Sequence, residues 1–112
     1  MRDDREWLLD ILEAIERIER YSSRGRQAFE EDELIQSWIL QQLQIIGEPL
    51  RNISEDFKRD HREFPWKESI GMRNILIHRY FELDENIVWM VVIRDLPALE
   101  EKARSAYPDQ VS

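Results

Sequence analysis

The sequence contains no cysteine, which excludes both a disulfide framework and a zinc–thiolate site. Its two histidines, His61 and His78, fall in no histidine–carboxylate ligand pattern, so neither a metal nor any other cofactor is expected. Long apolar runs are also missing. The longest uncharged stretch, Leu34 to Gly47, carries four glutamines and is too short to span a bilayer. The opening residues, Met1-Arg2-Asp3-Asp4-Arg5-Glu6-Trp7, lack the apolar core of a signal peptide. With no repeats and no low-complexity segment, one domain over residues 1–112 is expected, cytoplasmic and without a membrane partner.

Basic residues are outnumbered. The net charge of −8 argues against a protein that coats nucleic acid along a broad basic face. The balance is uneven, however: Arg51 to Tyr80 holds seven Lys/Arg against five acids, so the deficit lies in the rest of the chain. A local anion site is compatible with that distribution.

What the chain has in quantity is helical periodicity. Asp3 or Asp4 can cap a first helix, and Trp7, Leu8, Ile11, Leu12, Ile15 and Ile18 recur at three- and four-residue steps to about Tyr21. Ser22 to Gly25 ends it, with Gly25 suited to a positive φ. A polar interval anchored by Phe29 follows, and Asp32 is placed to cap a second helix. Apolar residues from Leu34 to Ile53 cover more than one face, and Gln36, Gln41, Gln42 and Gln44 suit a second packing surface or an exposed row. Gly47-Glu48-Pro49 predicts a kink or break near Ile45, because proline cannot donate to the carbonyl four residues back. Ser54 to Phe64 reads as a short helix or loop around Phe57, with His61 at the surface. A helix from Trp66 to Phe81 follows, with Pro65 in its first turn. Asp84 caps a buried helix through Ile87 to Ile93, a second bend falls at Asp95-Leu96-Pro97, and Pro108 stops the last helix. The expected fold is an all-α antiparallel bundle of four to five helices, kinked near Pro49 and Pro97.

Chemistry concentrates in Gly71 to Phe81. On a helical wheel Arg73 and His78 flank an apolar stripe, and Tyr80 lies two turns from Arg73 on nearly the same side. A buried arginine must meet an acid, an anion or water. Two readings follow. In one, Arg73 pairs with an acid such as Glu48, and His78 is hydrogen-bonded within the core. In the other, His78 exchanges a proton near neutral pH while Arg73 offers a planar fork to a phosphate. RNA would supply its own nucleophile, and a two-fold dimer would bring two copies of the small site together.

The segment Arg73-Asn74-Ile75-Leu76-Ile77-His78-Arg79-Tyr80 resembles the signature of the HepT-like family of the HEPN superfamily: Arg, four to six residues, His, one residue, Tyr. Ile45-Ile46-Gly47-Glu48, Pro65-Trp66, Val88-Trp89 and Asp95-Leu96-Pro97 resemble the family's surroundings of that motif. Pro49 departs from it, standing where the family often has a small residue such as alanine. HepT-like proteins are the toxin half of HepT/MntA toxin–antitoxin modules, type VII systems. The resemblance implies a helical homodimer acting as a metal-independent endoribonuclease. Arg73 and His78 would be catalytic, and Asn74 would position RNA. Tyr80 would be the residue that a partner minimal nucleotidyltransferase antitoxin modifies with AMP. A helical dimer that docks the nucleotidyltransferase or holds a nucleotide without catalysis is the alternative.

Overall fold

The computed structural model describes residues 3–62 and 85–111. The helix expected over Trp66 to Phe81 and the Asp84 cap lie outside the described residues. Six α-helices and one π-helical turn are described, and there is no strand among the described residues.

Helix α1 (Asp4–Ser22) opens on Asp3, whose Oδ1 accepts from the Glu6 amide at 3.0 Å. Asp4 and Glu6 place negative charge in the first turn, where the helix dipole favours it. Leu8, Ile11, Ala14, Ile15 and Ile18 form one fully buried stripe, as their spacing predicts. The helix closes with the Ser23 amide on the Glu19 carbonyl at 3.0 Å, and the chain turns at Gly25, whose φ of 98° is open to few residues but glycine.

The interval around Phe29 is itself helical. Helix α2 (Arg26–Glu31) buries Phe29 against Trp89, ring centroids 5.3 Å apart. Six residues with one large apolar side chain carry too weak a periodic signal to identify as a helix beforehand. Gln36 holds its end, donating to the Phe29 carbonyl at 2.8 Å and the Glu30 carbonyl at 3.1 Å.

Helix α3 (Glu33–Asn52) begins at Asp32, whose side chain accepts from the Leu34 amide at 2.9 Å. Ile35, Ile39, Leu43, Ile46 and Leu50 face the core, and α1 and α3 form the most extensive helix pair described. Of the kink or break expected near Ile45, the break is ruled out, for α3 runs unbroken through Pro49 to Asn52. Two local features accommodate the proline. Ile45, whose carbonyl loses its amide partner, belongs to an exposed position of the helix, 40% open to solvent, rather than to the core stripe. Beyond the proline, the Ile53 amide reaches the Pro49 carbonyl at 3.1 Å, and the Asn52 side chain donates to the Glu48 carbonyl at 2.9 Å.

Ser54 caps α4 (Glu55–Asp60), accepting from the Phe57 amide at 3.1 Å. It is also held by Asp4: the Ser54 amide and hydroxyl donate to the two Asp4 carboxylate oxygens at 2.8 and 2.6 Å. His61 is not the purely surface residue expected. It is partly buried and stacks on Phe57 at 4.0 Å between ring centroids, with Nδ1 3.0 Å from the Phe57 carbonyl. Its apolar neighbour is four residues back, one helical turn away, rather than adjacent in sequence.

Helix α5 (Glu85–Met90) continues into a π turn (Val91–Asp95) and then α6 (Leu96–Val111). Residues 87–93 are thus helical, as expected. The expected disturbance at Pro97 takes the form of this turn, in which the Leu96 amide reaches back five residues to the Val91 carbonyl. In that register the carbonyl four residues before Pro97 can be served by the residue after it, so the missing proline amide costs little. Val88, Val91, Val92, Leu96, Leu99, Ala103 and Ala106 join the core, with α6 packed along α1. Pro108 does not stop α6, which runs to Val111. Near a helix end one missing amide leaves a single carbonyl, Arg104's, and that residue is exposed.

Candidate functional site

Arg73, Asn74, His78 and Tyr80 lie outside the described residues. Glu48, the acid singled out as a partner for Arg73, is described. It is an exposed residue of α3 between buried Gly47 and buried Pro49, and its backbone carbonyl is held by Asn52. The flanking burial fixes α3 as a core element at that point, with the Glu48 side chain at its solvent edge.

The glutamine row of α3 divides between core and surface. Gln41 and Gln44 are exposed, and Gln36 caps α2. Gln42 is only 3% exposed, and its Oε1 has no hydrogen-bond partner among the described residues. Leaving a buried acceptor unpaired costs about 1–3 kcal/mol, so Gln42 is the polar oddity of the core. Its spacing is the signal that singles it out: Gln42 stands seven residues after Ile35, three after Ile39 and four before Ile46, on the core face that Gln41 and Gln44 do not share.

At the N-terminal end of α3, Tyr21, Arg24, Asp32, Leu34, Ile35 and Trp38 line a cleft of about 370 Å³. Trp38 is fixed there by its indole N–H, which donates to the Arg17 carbonyl at 3.1 Å. Tyr21 meets it edge to face with centroids 5.8 Å apart, and the Arg24 guanidinium stands 5.1 Å from the Tyr21 ring centre. These residues are scattered across two helices and a turn, so their spacing in sequence does not group them.

A third cluster joins α1 to α6. The Glu19 carboxyl is pushed up from 4.5 to about 7, first by a hydrogen bond shared with Glu100 and then by burial. Glu100 is held below its ordinary value by the same bond, aided by Arg104, whose Nε lies 3.2 Å from Glu100 Oε1. Glu19 thus carries the shared proton near neutral pH. Among the described residues no group of three or more His, Asp or Glu side chains could hold a metal ion, and no helix is long and apolar enough to cross a membrane.

The helical bundle places the chain in the all-α class, and comparison with known proteins narrows that class. The family described as Ribonuclease HepT-like matches residues 11–106. The chain is 42% identical over 104 residues to a probable ribonuclease HepT of Thermococcus cleftensis, covering 90% of this chain and 93% of that one. A protein of Methanocaldococcus jannaschii, named provisionally as an RNase, is 38% identical over 102 residues, covering 90% of this chain and 94% of that one. Another, from Caldanaerobacter subterraneus and named in the same way, is 34% identical over 105 residues, covering 93% and 94%. No solved structure matches. The chain belongs to the HepT-like ribonuclease family.

Proposed function

We propose that this protein is a metal-independent endoribonuclease, the toxin of a type VII toxin–antitoxin pair, using Arg73 and His78. The observation that carries the reading is the family match over residues 11–106, a span that includes the Arg73-to-Tyr80 motif. In this reading His78 takes the proton from a ribose 2′-hydroxyl, and the 2′-oxygen attacks the adjacent phosphorus. Arg73 stabilises the charge that builds on the phosphoryl oxygens, and Asn74 holds the RNA. The bond to the 5′-oxygen breaks as that oxygen receives a proton from an imidazolium, leaving a 2′,3′-cyclic phosphate and a free 5′-hydroxyl.

Two copies of the chain would give the cleft one imidazole to take a proton and another to give one. Ile87, Met90 and Ile93 support dimerisation: they are 53%, 37% and 49% exposed, an apolar row on α5 and the π turn that a second copy could bury. Glu48, at the solvent edge of α3, would support Arg73. AMP placed on Tyr80 by a partner nucleotidyltransferase would add bulk and negative charge beside Arg73 and so silence cleavage.

The test is RNA cleavage in the presence of a chelator by the native protein, Arg73→Ala and His78→Ala. The expected result is a cyclic-phosphate product from the native protein, lost in each variant while the helical circular dichroism persists. Cleavage equal in all three samples, or absent from all, would overturn the enzyme reading in favour of a non-catalytic module that docks the nucleotidyltransferase.

A further inference from the structure

The Tyr21–Trp38 cleft is built from parts that the proposed chemistry does not use. We propose that it holds an unpaired nucleobase of a single-stranded RNA, at a site separate in sequence from Arg73 and His78. The proposal rests on the ribonuclease reading for the identity of its ligand, and on the geometry of the cleft for everything else.

Three features select a base. The first is a fixed aromatic surface. Trp38 is partly buried and its only donor is spent on the Arg17 carbonyl, so its ring has one orientation and little left to lose on binding. Tyr21 braces it edge to face, which leaves ring surface available for stacking. Bases of single-stranded RNA are held in this way, on aromatic rings and guanidinium planes, because every base offers a π face.

The second feature is a pair of opposite charges that do not meet. Arg24 and Asp32 line the same cleft, yet among the described residues neither forms an ion pair with the other or with any third group. Arg24 leans over Tyr21, an exposed cation beside the stacking surface and suited to a backbone phosphate. Asp32 spends Oδ1 on the Leu34 amide, which leaves Oδ2 to accept from an exocyclic amino or ring N–H of a base. A phosphate donor and a base acceptor on either side of an aromatic ring match the order of groups in a nucleotide.

The third feature is size and wall. About 370 Å³ falls at the lower end of the range for small-molecule sites, and Leu34, 80% exposed, extends the apolar side of the cleft into solvent. A peptide could use the apolar wall but has no general need for the cation and the carboxylate together. A base with its phosphate uses all three.

The test follows the Trp38 indole N–H resonance in His78→Ala protein titrated with a single-stranded RNA dodecamer, and with a duplex of the same sequence as control. The expected result is a shift of that resonance with the single strand and not with the duplex. Arg24→Gln and Tyr21→Leu would each weaken single-strand affinity, read by fluorescence anisotropy, by roughly five- to tenfold. Arg24 is exposed, so its variant keeps the fold even if Tyr21→Leu does not. RNA that binds without moving the Trp38 signal, with affinity unchanged in Arg24→Gln, overturns the proposal and leaves the ribonuclease reading intact. A Trp38 shift in a protein whose native form does not cleave RNA would do the reverse. No RNA binding at all overturns the proposal and leaves the cleft to a peptide.

Discussion

Glu19 on α1 and Glu100 on α6 share one hydrogen bond across the helix pair, with Arg104 drawn to the Glu100 side at 3.2 Å. Two carboxyl groups can share such a bond only while one of them keeps a proton, and the environment assigns that proton to Glu19.

A pH dependence follows, with its sign set by the direction of each shift. The folded protein holds the Glu19 proton up to about pH 7, whereas the unfolded chain releases it near 4.5. The contact therefore contributes fully below pH 4.5 and fades as pH rises toward 7 and beyond. Glu100, held low, acts in the opposite sense and loses its contribution below pH 4.5. Glu19→Gln keeps a donor at every pH. Thermal melts between pH 5 and 8 should show the variant matching the native protein at pH 5 and exceeding it at pH 8. The gain is held below about 1 kcal/mol because Glu19 is exposed to solvent, which screens the contact. A native protein as stable at pH 8 as at pH 5, relative to the variant, would refute the shared proton.

The Asp4–Ser54 contact joins the start of α1 to the start of α4 through two hydrogen bonds, while Ser54 also caps its own helix. Ser54→Ala should cost about 1–2 kcal/mol in urea unfolding, the cap and one side-chain bond together. In a double-mutant cycle with Asp4→Ala, the two residues should couple by about 0.5–1.5 kcal/mol. Additive losses would mean that the contact contributes nothing.

Gln42→Leu removes the buried acceptor and keeps most of the side-chain volume. If Oε1 stays unpaired in solution, the variant should be more stable by about 1 kcal/mol. A loss of that size instead would show that Gln42 accepts a hydrogen bond in solution, and the change in denaturant midpoint decides between the two.

Pro49→Ala restores an amide to a helix that already runs through the position. Proline inside a helix costs about 3 kcal/mol, and losing its buried ring returns part of that gain. A net rise of about 1 kcal/mol is expected, read as a higher melting temperature. No rise would indicate that α3 is shaped around the proline.

The helices that could be read from sequence were those whose signal repeats. Leu8 to Ile18 and Ile35 to Leu50 place an apolar residue at every turn, and Asp3 and Asp32 cap where their positions suggested. Proline is read correctly at Pro97, where the helix is disturbed, but not at Pro49 and Pro108, where it neither breaks nor stops the helix. At Pro49 and Pro108 the affected residues lie at the surface, and at Pro97 a π turn absorbs the change. His61 was misjudged because its neighbours in sequence are charged while its neighbour in space, Phe57, is one turn away. The Tyr21–Trp38 cleft was invisible for a related reason, since its residues come together only when α1 and α3 pack. The Arg73-to-Tyr80 motif is the converse case: its residues are contiguous, so the sequence displays it whole.

The same Asp4–Ser54 bond has a consequence for how the chain finds its final alignment. It closes a span of 50 residues, and closing a loop of that length costs about 3.5 kcal/mol of chain entropy. Two solvent-exposed hydrogen bonds at about 0.5–1.5 kcal/mol each do not cover that alone, so burial of the apolar stripes of α1 and α3 must help bring the ends together. Such stripes repeat every turn, and a helix displaced by one turn would still find leucine and isoleucine opposite it. A carboxylate that meets one serine and no other separates these near-equivalent pairings, acting as a vernier that sets the helices to the correct notch after the greasy surfaces have met.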